Sequence, residues 1–85
     1  MGEMARPAAE IVEATVNQIG YELLENGEVK SAIKVFELNS GTFPLSANAW
    51  DSLAEAKQVY GDHDSATRFY QVARHLEKSL GEKKS

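Results

Sequence analysis

Apolar residues in the first third of the chain recur three and four positions apart: Val12, Val16, Ile19, Leu23 and Leu24. That period is helical and predicts an amphipathic helix from about Pro7 to Asn26. Pro7 suits a first helical turn, and Gly27 offers the left-handed stop that helix ends favour. A second run, Val29, Ala32, Ile33, Val35, Phe36 and Leu38, keeps helical spacing until Asn39, Ser40 and Gly41, where a break is expected. Pro44 pushes Phe43 out of helical geometry, Ser46 is placed to cap a third helix, and Leu45 to staple against Trp50. Trp50, Leu53, Ala54 and Val59 carry that helix to Gly61. Asp62 or Asp64 then offers a carboxylate to the free amides of a fourth helix, expected to end near Leu80. No alternating strand pattern occurs, so the expected fold class is all-α: four helices arranged as two antiparallel hairpins in tandem.

The two hairpins share a register. Shifting the chain by 34 residues places Val16 on Trp50, Ile19 on Leu53, Gly20 on Ala54, Gly27 on Gly61, Ala32 on Ala66 and Phe36 on Tyr70. Small residues at Gly20, Ala32, Ala54 and Ala66 let paired helices approach closely, while Trp50, Phe36 and Tyr70 fill the space between them. The period and these residue types resemble the tetratricopeptide repeat, whose pattern places Trp, Leu, Gly, Ala, Phe and Pro at fixed spacings. The second copy carries Trp50, Leu53, Ala54, Gly61, Ala66, Tyr70 and Ala73; the first carries Gly20, Ala32, Phe36 and Pro44. The first copy departs from the family at Val16, Leu23 and Asn39, where Trp, an aromatic residue and a small residue are usual, and the second at Lys57, where an aromatic residue is usual. The implied organisation is a flexible segment at 1–6, a helical domain at 7–80 with repeats of about 13–46 and 47–80, and a tail at 81–85 with no apolar anchor.

Length and charge narrow the function. Eighty-five residues allow one small core. A net charge of −4, with no basic cluster beyond short groupings such as Arg68 with Arg74 and Lys83 with Lys84, argues against a nucleic-acid partner. Cysteine is absent, which removes disulfides, thiolate nucleophiles and sulfur-ligated zinc. No apolar run approaches the ~20 residues that span a bilayer, and no secretory leader is evident at the start, so a cytoplasmic location and no membrane partner are expected.

Catalytic chemistry finds no support in the residues. His63 and His75 have no second ligand at helical spacing, and no metal or cofactor is expected. Ser46, Ser52 and Ser65 lack a Gly-x-Ser-x-Gly turn. Glu10, Glu13, Glu22, Glu25, Asp51 and Glu55 read as solvated helix faces, because four short helices enclose no desolvated cleft to separate their pKa values. The expected function is therefore that of a non-enzymatic interaction module.

In the family it resembles, the first helix of each hairpin lines a concave groove for a peptide. Carried over, the groove would present Asn17, Tyr21 and Glu25 beside Asn48, Asp51, Ser52 and Glu55, an acidic lining that favours a neutral or basic peptide. An alternative is self-association as a homodimer through Phe69, Val72, Leu76 and Leu80 on the last helix, which would lie open if Val35 and Leu38, their counterparts one repeat earlier, are covered by the second hairpin. A looser resemblance of Phe43 to Ala56 to helical pairs appended to beta-lactamase-like serine hydrolases raises a third reading, the C-terminal appendage of a larger enzyme.

Overall fold

The computed structural model describes residues 9–84, with side chains to Ser79. Four helices follow one another: α1 (Ala9–Glu25), α2 (Val29–Thr42), α3 (Ala47–Tyr60) and α4 (His63–Lys84). No strand occurs among the described residues. The expected flexible segment at 1–6 and the helix start at Pro7 lie outside them.

Both hairpin turns are built the same way. Gly27 has φ +83° and Gly61 φ +103°, conformations that side-chain-bearing residues resist. At the first turn Glu28 N–H donates to Leu23 O at 2.8 Å and Gly27 N–H to Leu24 O at 3.1 Å. At the second, Asp62 N–H donates to Lys57 O at 2.9 Å and Gly61 N–H to Gln58 O at 3.1 Å. Each is a Schellman closure, which satisfies the last carbonyls of one helix while turning the chain into the next. The two closures fall 34 residues apart, so the repeat is present in hydrogen bonds as well as in residue type.

Packing follows the chain. α1 lies on α2, α2 on α3 and α3 on α4, with a lighter contact between α1 and α3; among the described helices α4 packs on α3 alone. The central cluster is Ala32, Ile33, Phe36, Leu53 and Ala56, flanked by Tyr21, Leu23, Leu24, Val29, Trp50 and Phe69. Gly20 admits the Phe36 ring: a Cβ built at Gly20 would lie 2.3 Å from Phe36 Cε1. Phe36 is fully buried, and its ring meets Tyr21 edge-on at a centroid distance of 5.1 Å.

Several expectations are corrected. α2 does not break at Asn39, Ser40 and Gly41 but runs to Thr42, with Phe43 at φ −123° as its C-cap. Tertiary packing overrides the weak helix propensity there: Asn39 and Ser40 are buried, and Asn39 Nδ2 donates to Glu13 O at 3.1 Å. Ser40 and Thr42 return their hydroxyls to Glu37 O and Leu38 O within the helix. Ser46 does cap α3, its Oγ accepting from Ala49 N–H at 3.1 Å, but Leu45 stays 74% exposed, which leaves little side chain for a staple. Trp50 instead fixes the connector by donating Nε1–H to Pro44 O at 2.8 Å. Asp62, rather than Asp64, caps α4, accepting from Ser65 N–H at 3.2 Å, and α4 passes its expected end at Leu80 to reach Lys84.

The inward face of α1 also differs. Its one fully buried residue is Gly20, whereas Val12 and Ile19, both in the apolar series, remain 38% and 46% exposed.

Candidate functional site

The expected groove residues lie on α1 and α3. Tyr21 joins them: its hydroxyl donates to Glu55 Oε1 at 2.7 Å. Burial is the main reason the Tyr21 phenol is pushed up to about 12; the Glu55 carboxylate adds to the shift and the Ser52 hydroxyl opposes it. Asn48 Nδ2 donates to Glu13 Oε2 at 3.3 Å, a second link between the same helices. Burial also raises the Tyr70 phenol, with smaller contributions from Glu55 and Asp51.

Six of the seven expected groove residues retain exposed surface. Glu25, Asn48, Asp51 and Glu55 are exposed, and Asn17 and Tyr21 are half-buried. Ser52 is buried and presents nothing to a ligand. Asn17 Oδ1 is an acceptor removed from solvent without a hydrogen-bond partner, and so is Asn39 Oδ1. An unpaired buried acceptor is costly, so both amides are polar positions held by packing.

Glu13 belongs with this group although it was not among the expected groove residues. It precedes Asn17, Tyr21 and Glu25 at steps of four, a spacing that puts all four on neighbouring turns of one helix face. Beside it an open groove of about 620 Å³ is lined by Ala9, Glu10, Glu13, Phe43, Pro44, Leu45, Ser46 and Ala47. Its walls are largely apolar and its charged residues are both acidic.

Lys57, where the resembled family has an aromatic residue, is half-buried. Its Nζ lies 3.9 Å from both Glu37 Oε2 and Asp62 Oδ2. Those separations are long for ion pairs and contribute little; the buried stem does most of the packing.

The expected stripe on α4 is partly drawn inward. Phe69 stacks against Trp50 at a centroid distance of 5.6 Å and packs on the core, and Leu76 is half-buried. Val72 is 38% exposed, and the Leu80 side chain lies outside the described residues. Of the earlier pair, Val35, the counterpart of Phe69, is half-buried, while Leu38, the counterpart of Val72, is 66% exposed.

Among the described residues no group of three or more His, Cys, Asp or Glu side chains is placed to hold a metal ion, and no helix is long and apolar enough to cross a membrane. No protein-family model, curated protein or solved structure matches the chain.

Proposed function

We propose that this chain is a tetratricopeptide-like pair of hairpins and acts as a non-catalytic protein-interaction module, taking a peptide on the face formed by α1 and α3. The observation that carries this reading is the Tyr21–Glu55 link, which sets the two helices side by side with Asn17, Asn48 and Asp51 around it. The exposed Asn48 and Asp51 offer polar contacts to a peptide, and the Tyr21 ring supplies apolar area with few rotatable bonds.

The charge of this face defines the ligand. Glu13 and Glu25 lie on this side of α1, which has no Lys, Arg or His, and α3 adds Asp51 and Glu55. Among the described residues, Lys30, Lys34, Arg68, Arg74 and Lys78, which make no ion pair, lie on α2 and α4. A neutral or basic peptide fits such a face, its encounter being favoured by opposite potential. The absence of cysteine suits a cytoplasmic setting.

Calorimetry with a lysine-rich and a glutamate-rich unstructured peptide tests the reading. Binding of the lysine-rich peptide, weakened in Asp51→Lys and Glu55→Lys variants, is the expected result. Preference for the glutamate-rich peptide would overturn it.

A further inference from the structure

We infer that the outer face of α1 is a docking surface for a basic amphipathic helix of another protein, distinct from the face shared with α3. The helical series Val12, Val16, Ile19 and Leu23 has the spacing of a stripe meant for burial, yet only its inner edge is covered. Val16 and Leu23 are half-buried, while Ile19 is 46%, Val12 38% and neighbouring Ile11 59% exposed.

The internal repeat shows what is missing. Leu53 occupies the position of Ile19 one repeat later and is only 2% exposed, because α2 covers it with Ile33 and Phe36. Among the described residues, α1 packs on α2 and lightly on α3, and nothing stands to α1 as α2 stands to α3. A helix laid on Ile19 would therefore repeat an interface the chain already contains.

The face is prepared for such cover. Thr15, between Ile11 and Ile19 on successive turns, donates its hydroxyl to Ile11 O at 2.9 Å, so its one side-chain donor is satisfied within the helix. Covering Thr15 therefore strands no donor.

Charge selects the occupant. Glu22, one turn from Ile19, stands where the second repeat has buried Ala56, and α1 has no cation to offset it. Two copies of α1 packed together would oppose like charges. The α4 helix of a second copy fits less well: the counterparts of Ile33 and Phe36 on it are Thr67, exposed and polar, and Tyr70, already half-buried within its own chain. A foreign helix with aliphatic residues at helical spacing and Lys or Arg along its edges meets both requirements.

The test is an NMR titration of the full chain, methyl-labelled, with a synthetic leucine–alanine helix flanked by lysines, and with the same helix flanked by glutamates. The lysine helix should shift the Val12 and Ile19 methyls while leaving the Asp51 and Glu55 amides in place. Ile19→Gln should keep the melting temperature and weaken binding about tenfold or more, as expected for losing a buried aliphatic contact. Glu22→Lys should weaken it as well, and added salt should reduce what remains. Equal binding of the two helices, or shifts confined to Asp51 and Glu55, would overturn the inference. A dimer of the free chain that Ile19→Gln dissolves would also overturn it, by assigning the stripe to a second copy.

Discussion

The Tyr21 hydroxyl donates a 2.7 Å hydrogen bond to Glu55, and the two residues hold the same position in successive repeats. Equivalent points of two hairpins thus meet across the face on which a peptide is proposed to lie. Tyr21 also packs edge-on against Phe36, so one side chain links the joint between hairpins to the packing inside the first.

Removing that hydroxyl should weaken the joint and change its response to alkali. A Tyr21→Phe variant is expected to lose about 0.5–1.5 kcal/mol at neutral pH, the usual net worth of a hydrogen bond. The folded-state pKa of Tyr21 is raised from its ordinary 10.0 to about 12, so the neutral phenol is favoured by folding. Its contribution is fully present below pH 10.0 and is lost as pH rises towards about 12. Urea unfolding across that window should show stability falling more steeply in the parent chain than in Tyr21→Phe; parallel curves would contradict the assignment.

Gly20→Ala should be among the most damaging small substitutions in the chain. The new methyl would fall 2.3 Å from a carbon of the buried Phe36 ring, which has no free space to enter. A loss of about 1–3 kcal/mol is expected from overpacking. Adding Phe36→Leu to Gly20→Ala should then cost less than it does in the parent, a coupling that a double-mutant cycle in urea measures directly.

Glycines elsewhere should divide by backbone conformation. Gly27→Ala and Gly61→Ala meet no neighbouring atom but place a side chain at positive φ, and each should cost about 1 kcal/mol. Gly41→Ala should do the reverse. It lies inside α2 with open space around it, so replacing glycine there should add up to about 1 kcal/mol. A destabilised Gly41→Ala would show that α2 ends at Asn39 after all.

Ser46→Ala should remove the capping bond to Ala49 N–H and lower the melting temperature, at a cost of about 1 kcal/mol. Asp62 caps α4 in the same way, and its hydrogen bonds to Ser65 hold its carboxyl below the ordinary 3.8. A depressed carboxyl contributes above its unfolded pKa and loses that contribution as pH falls through the folded value. Acid unfolding should accordingly begin less abruptly in Asp62→Asn than in the parent chain.

The hairpins were legible because their signals are local and strong. Gly27 and Gly61 mark turns that need a positive φ, and the apolar period between them is helical. Gly20, Ala32, Phe36 and their counterparts encode close packing by size alone. What escaped the sequence depends on neighbours distant in the chain. Asn39 looks like a breaker until Glu13 supplies an acceptor for its buried amide. Phe69 looks like an outer residue until Trp50 stacks on it, and Ser52 looks like a groove residue although packing buries it. Periodicity identified the Val12–Ile19 stripe as apolar but says nothing about whether this chain contains the helix that covers it. Glu13 could have been found at the outset from its steps of four to Asn17, Tyr21 and Glu25.

The most direct test of how the hairpins meet is a nuclear Overhauser spectrum of the free chain. Cross-peaks from the Tyr21 ring to the Ser52 and Glu55 side chains, together with peaks from the Phe36 ring to Gly20 Hα, are the predicted result. Clear Phe36–Gly20 peaks with no contact between Tyr21 and α3 would show two sound hairpins that do not form the shared face, and would contradict the account.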